Sequence, residues 1–285
     1  MNKIHRSSYI TTEVGGFMFA LVKQRRQSVP LSERIYRHFT GYSGYGIFPA
    51  AVIGMQAVFL EIDADKTMRR RRWEKRVGMS AAALWEMGIE RVCFAEDFAF
   101  SSDFLHFGFR TIDTMPLFCA TAGAAAAQAC QERRETAAVF ADRMTRGVAK
   151  TVETLCGSFR YILIYAGSCA AEELSASLQT SCGVPVMANP PFSRLNGADA
   201  AVFFGKPEMR AYLPEKCISV IPWDLPEAGI VHGRYVAGVD YTVTGGVMQT
   251  IPLGFSAEPI LSAALSAGVL VPEDIGVKGV KVEKI

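Results

Sequence analysis

An α/β fold built around a mainly parallel, doubly wound sheet is the class this sequence predicts. Three observations predict it. Short β-rich runs alternate with helical runs between Glu135 and Gly205. Strands separated in this way need crossover connections, which are nearly always right-handed and place the strands parallel. The 285 residues are 50% hydrophobic, enough for a sizeable core and too much for a disordered chain.

The elements follow in order. Ala137-Ala-Val-Phe-Ala141 is a continuous apolar block suited to a strand buried on both faces. The polar turn Asp142-Arg-Met-Thr-Arg146 follows, and Val148, Val152 and Leu155 recur at helical spacing up to a cap at Gly157. Tyr161-Ile-Leu-Ile-Tyr165 is the next strand. Gly167-Ser-Cys169 turns the chain into a helix over 170–181, with the stripe Ala171, Leu174, Leu178 and with Glu172 and Glu173 favourably placed in its first turn. Gly183 ends that helix. Val184-Pro-Val-Met187 starts a third strand, where the proline marks either its first residues or a sheet edge because it cannot donate to a central ladder, and Ala200-Ala-Val-Phe-Phe204 is a further strand. The arrangement is Rossmann-like.

Upstream, 50–62 is apolar and partly β-branched, and 66–87 is a long helical candidate capped by Gly88. Arg91-Val-Cys-Phe-Ala95, a short helix over 102–107, a small strand over 110–113 and an Ala-rich helix over 117–132 complete a second α/β half. The expected organisation is therefore a flank over 1–46, a core over 47–205 in two halves (47–132 and 135–205), and a β-rich flank over 206–285 with one short helix. The first flank offers strands at Ser8–Thr12 and Phe17–Val22, then the Tyr/Gly-rich loop Gly41–Gly46. The last offers Cys217–Ile221, Arg234–Gly238, a helix over 259–266 stopped by Gly268, and a Lys-bearing edge strand over 277–285.

Thirty basic against 28 acidic residues leave a net charge of +2, which is not the footprint of a domain built for nucleic acid. Seven dispersed cysteines without a C-x-x-C pair favour reduced thiols over a disulfide framework, and the four histidines stand at no ligand spacing, so no metal is assigned. The apolar runs at 15–22 and 116–130 suit neither a signal peptide nor a membrane span. The expectation is a cytoplasmic protein with a small-molecule ligand, a homo-oligomeric or protein partner being open.

Four features are candidates for chemistry. In the turn after the first strand, Arg143, Thr145, Arg146 and Gly147 present donors suited to phosphate or carboxylate at a helix N-terminus. Neither G-x-G-x-x-G nor G-x-x-x-x-G-K-[ST] is present, so no NAD or P-loop cofactor is assigned; a plain Thr145 cap with solvated arginines is the simpler reading. In the turn after the second strand, Gly167 and Ser168 extend the binding edge, and Cys169 is the best-placed thiol because a helix dipole stabilises its thiolate. The series strand, Cys169, helix, Gly183-Val-Pro-Val186 loosely resembles one half of the cofactor-independent amino-acid racemases, over about 25 residues. That resemblance implies acid–base work by paired cysteines; Ser168 and Ala170 replace the family's Asn-Thr flanks, and no second matching cysteine is present.

The third feature is the basic run 66–76, which places Arg69, Arg72 and Arg76 on one helical face and Trp73, Val77, Ala81 and Leu84 on another. The fourth is the strand-end carboxylates Glu61, Asp63, Asp65, Glu96 and Asp97, which serve equally as caps. The leading function is binding of a small anionic ligand or nucleotide at the strand-end turns. The alternatives are a non-catalytic interaction scaffold with a degenerate cofactor site and a thiol-dependent isomerase using Cys169.

Overall fold

The computed structural model describes residues 18–25, 44–63, 68–131, 134–167, 169–205, 213–222 and 233–284. It divides into two compact units, 1–110 and 111–285. The strand expected at Ser8–Thr12 and the residues Lys66 and Ser168 lie outside the described residues, as do 41–43 of the Tyr/Gly loop.

The first unit holds strands β1 (Phe19–Arg25), β2 (Tyr45–Val52), β3 (Met55–Asp63), β4 (Arg91–Phe94) and β5 (Arg110–Thr111), in the order β2-β3-β1-β4-β5. β1 runs parallel to β3 and β4. The apolar run 50–62 is a hairpin rather than one strand: β2 and β3 are antiparallel, and the two-residue turn Ile53-Gly54 has φ +50° and +74°, the left-handed geometry that matches strand twist. Helix α1 (Arg70–Glu86) buries Trp73, Val77, Ala81 and Leu84, the apolar face expected from its periodicity. The indole N–H of Trp73 donates to Asp103 in α2 (Ser101–Leu105) at 2.7 Å. Arg76 does not belong to a free basic face: its guanidinium donates to the Asp63 carbonyl and its side chain lies over Gly44, where any Cβ would collide with it.

The second unit contains a seven-stranded sheet in the order β12-β11-β10-β9-β6-β7-β8. Its strands are β6 (Thr136–Ala141), β7 (Tyr161–Ala166), β8 (Val186–Ala188), β9 (Ala200–Phe203), β10 (Ile218–Val220), β11 (Arg234–Val243) and β12 (Ile275–Lys284). All neighbouring pairs from β11 to β8 are parallel, and β12 joins antiparallel at the edge. The residues after 205, expected as a separate flank, therefore supply three strands of the same sheet. Strand order runs outward in both directions from β6, so β6 and β9 flank the point of reversal, as in doubly wound dinucleotide folds.

Helices α3 (Met115–Ala129), α4 (Arg146–Cys156) and α5 (Ala170–Cys182) cover one face through Phe118, Ala122, Val152, Leu155, Ala171 and Leu178. They pack on alternate strand residues, Ala137, Val139, Ile162, Ile164, Ala200 and Val202. α6 (Ala257–Ser266) packs against α3. The opposite face carries Ala138, Phe140, Leu163, Ala201 and Phe203; among the described residues, the helical element packed on it is the 3₁₀ turn Phe192–Gly197, through Leu195.

Two glycines set the α3–α4 approach. A Cβ on Gly123 would lie 2.9 Å from Thr154 Cβ, and one on Gly147 would lie 2.6 Å from Cys119 Sγ and 2.8 Å from its Cβ. The Thr151 hydroxyl, buried at this crossing, donates to the carbonyls of Cys119 and Gly147 at 3.0 and 3.1 Å.

Burial raises the thiols of Cys130 and Cys156 from the ordinary 9.0 to about 11, the Asp199 charge adding to the first and neighbouring Cys182 to the second. The folded protein keeps them neutral where an unfolded chain ionises. Their contribution to stability is therefore fully present below the unfolded value and is lost as pH rises from 9.0 toward about 11. In urea unfolding across that interval, Cys130→Ala/Cys156→Ala is expected to show a shallower decline than the parent; an identical decline would assign the pH dependence elsewhere.

Candidate functional site at the carboxyl edge of the sheet

The carboxyl ends of β6, β7 and β8 open onto a cleft of about 710 Å³ lined by Asp142, Tyr165, Gly167, Cys169, Glu172, Asn189 and Phe192, with Ala141 and Ala166. Each strand contributes through the residue at which its ladder stops.

After β6, Thr145 adopts the extended conformation of an N-cap, and its hydroxyl accepts the Val148 N–H at 3.3 Å. This is the plainer role read for it in the sequence. Arg143 and Arg146 are exposed and form no ion pair or hydrogen bond among the described residues. Gly147 serves the α3–α4 crossing. Asp142 is exposed and flanked by glycine: a Cβ on Gly205, after β9, would lie 3.0 Å from its Oδ2, and one on Gly167, after β7, would lie 3.6 Å from its backbone carbonyl oxygen. The ends of β6 and β9, the two strands that flank the reversal, thus meet at its carboxylate.

After β7, Gly167 and Cys169 are among the residues that line the cleft. Cys169 is exposed, and its carbonyl accepts the N–H groups of Glu172 and Glu173 at 3.0 and 3.2 Å, which starts α5. It is the one cysteine among the lining residues. After β8, Asn189 takes φ +48°, a left-handed conformation that asparagine tolerates better than most residues. Its N–H donates to the Ile164 carbonyl at 2.7 Å and its Oδ1 accepts the Ala166 N–H at 3.0 Å, so the chain leaving β8 is pinned to the end of β7.

That pin brings Phe192 onto Tyr165, with ring centroids 5.5 Å apart and planes 21° from parallel. Tyr165 stacks in turn on Phe140 at 5.0 Å, and Phe140 on Phe203 at 4.7 Å, forming a row of rings across β7, β6 and β9. Burial raises the Tyr165 phenol above its ordinary pKa, and its hydroxyl has no hydrogen-bond partner among the described residues. Phe192 is 45% exposed.

Sequence reasoning located the edge through Gly167 and Cys169 but did not single out Asp142, Tyr165, Glu172, Asn189 and Phe192 as site residues. The available signals were slight: an aromatic at the last inward position of a strand, and Asn189-Pro-Pro-Phe192 immediately after another.

The geometry also shows how this edge departs from a dinucleotide site. Asp142-Arg-Met-Thr-Arg-Gly147 has the length of G-x-G-x-x-G and occupies its place between strand and helix, but only the third glycine remains. Asp142 stands at the first position, and Met144, half-buried against the core, at the second, where a dinucleotide's pyrophosphate needs bare backbone. The acidic residue that such sites place about 20 residues further on is absent from Tyr165-Ala-Gly167 at the end of β7.

No protein-family model matches the chain, and no curated protein matches it. Among solved structures, it is similar to quinate dehydrogenase from Corynebacterium glutamicum in complex with NAD, at 9% identity over 88% of this chain and 92% of that one, with a TM-score of 0.34. Δ1-pyrroline-2-carboxylate reductase from Thermococcus litoralis matches at 10% identity over 56% of this chain and 51% of its own, TM-score 0.31. A probable ornithine cyclodeaminase from Bordetella pertussis matches at 21% identity over 36% of this chain and 33% of its own, TM-score 0.28. The match thus spans about half of the second protein and a third of the third. The Rossmann-like assignment rests on the parallel strand order itself. Among the described residues, no helix is long and apolar enough to cross a membrane and no group of three or more His, Cys, Asp or Glu is placed to hold a metal ion.

Proposed function

We propose that this protein binds a small anionic ligand of mononucleotide size at the carboxyl edge of the seven-stranded sheet. The observation that carries this reading is the cleft at the carboxyl ends of β6, β7 and β8, lined by Asp142 and the exposed Phe192, with Arg143 and Arg146, whose side chains are unpaired among the described residues, following Asp142 in the turn that enters α4. Asp142 accepts ligand hydroxyls, Phe192 offers a stacking face to a planar ring, and the two arginines with the α4 N-terminus take the phosphate. The cleft, of about 710 Å³, is shallow and open to solvent, which suits a ligand held at one side by stacking and at the other by its charge. The Asp142 and Met144 side chains oppose a pyrophosphate lying across the turn, so an intact nicotinamide dinucleotide is the disfavoured ligand.

Thermal shift and calorimetric titration with nucleoside monophosphates, sugar phosphates and NAD(P) test this. Stabilisation by a monophosphate is expected, with about tenfold weaker binding in each of Asp142→Asn, Phe192→Ala and Arg143→Ala/Arg146→Ala. Silence from every ligand class would overturn the reading. The replaced fingerprint glycines would then favour the second one, a non-catalytic scaffold that keeps the fold and works through protein contacts.

A thiol-dependent reaction at Cys169 is a weaker proposal, because the cleft supplies no second cysteine to complete the pair. Limiting alkylation of the native protein at neutral pH is expected to modify the exposed Cys169 and Cys182 first and to spare Cys93, Cys130, Cys156 and Cys217, which are buried. Mass spectrometry reads the order; a Cys169 rate well above that of Cys182 would revive the thiol chemistry.

A further inference from the structure

The opposite, amino-terminal edge of the same sheet carries a second constellation, which the carboxyl-edge site does not use. Two clefts of about 570 and 530 Å³ meet there and share Asp199 and Lys216. The first is lined by Arg134, Glu135 and Arg160, the second by Arg234 beside Gly279. Four cations therefore face two carboxylates, a surplus of two positive charges.

The carboxylates are already engaged. Asp199, 6% exposed, accepts the N–H groups of Glu135 and Thr136 on Oδ2 at 3.1 and 3.3 Å and holds Lys216 Nζ on Oδ1 at 3.4 Å. Glu135 pairs with Arg160 at 3.3 Å across exposed surface, a contact that water readily replaces. Lys216 keeps two of its three donors free, at the place where the clefts join. The side chains of Arg134 and Arg234 form no ion pair or hydrogen bond among the described residues. Arg234 also stands directly opposite Lys284 in the β11–β12 ladder, a like-charge cross-strand pair that is unfavourable without an anion nearby.

We propose that this edge binds a small molecule carrying a diphosphate or two phosphate groups. Lys216 sits at its centre, held by Asp199, with Arg134 on one side and Arg234 on the other. Arginine suits this task because its planar fork engages two phosphate oxygens at once. Two joined clefts with a cation at each end and one between match an anion longer than a single phosphate.

Inorganic pyrophosphate is the probe, titrated calorimetrically into the 285-residue chain at low salt, with sodium chloride of equal ionic strength as the control. Binding is expected, falling as salt is raised and weakening about tenfold or more in Arg134→Ala/Arg234→Ala, a loss that is the same whether or not Arg143→Ala/Arg146→Ala is added to remove the phosphate donors of the carboxyl edge. Both replaced side chains are exposed, and a circular-dichroism melt confirms that the variant keeps the fold. Absence of binding at roughly 5 mM pyrophosphate, equal affinity in Arg134→Ala/Arg234→Ala, or loss in Arg143→Ala/Arg146→Ala alone would each overturn the proposal. The last outcome would place the anion at the carboxyl edge, so the two sites stand or fall separately.

Discussion

Asp199→Ala should lower the unfolding free energy by about 3 kcal/mol, more than any cap or surface contact in this protein could cost. The side chain is buried at the start of β9 and is the partner of the Glu135 and Thr136 N–H groups, which lead into β6, and of Lys216 from the segment before β10. Alanine takes the shared acceptor away from two backbone donors at the floor of the joined clefts and the partner away from Lys216. Because the three segments belong to β9, β6 and β10, the loss strikes the middle of the sheet, not its edge. Asp199→Asn keeps one acceptor oxygen and gives up the charge, so about half that loss is expected. Urea unfolding followed by circular dichroism gives both values. A change below about 0.5 kcal/mol for alanine, the scale of an ordinary surface substitution, would show that solvent replaces the carboxylate at no cost.

Gly147→Val is expected to destabilise by about 3 kcal/mol, near the upper end of core overpacking. A Cβ at this position would already lie 2.8 Å from the Cβ of Cys119. The Cys119 sulfur can rotate away, but its Cβ cannot, so α3 and α4 must separate. Separation stretches the Thr151 bond to the Cys119 carbonyl of α3 and opens the layer that buries Val148, Val152 and Leu155. Gly147→Ala is the milder case, since the gain in helix propensity of about 1 kcal/mol partly offsets the clash. Cys119→Gly should rescue both, and a double-mutant cycle measures the coupling. Equal destabilisation in the two backgrounds would mean that the helices do not meet at this pair.

The outcome at Gly147 illustrates what could be read locally and what could not. Its place in a donor-bearing turn suggested a ligand contact, whereas its closest neighbour is a side chain 28 positions earlier in the chain. Thr145 was legible, because a cap depends on the three residues that follow it. Gly183 was legible for the same reason: it ends α5 at φ +68°, where a glycine carries no steric penalty. The face of α1 that bears Trp73, Val77, Ala81 and Leu84 followed from periodicity alone, while the tie of Arg76 to Asp63 did not, since nothing in a helical repeat announces a partner in a preceding strand.

The sequence by itself determined the type and order of the elements from β6 to β9, the caps at their ends, and the absence of a glycine fingerprint. All of these are short-range properties, set by side-chain period and turn chemistry within a few residues. Tertiary structure alone decided that three later strands extend the same sheet. It also decided that Asp142 lies between Gly167 and Gly205, that Asn189 delivers Phe192 to Tyr165, and that Asp199 gathers Lys216 and the entry to β6. Each of these joins residues tens of positions apart through strand order and register, which no local pattern encodes.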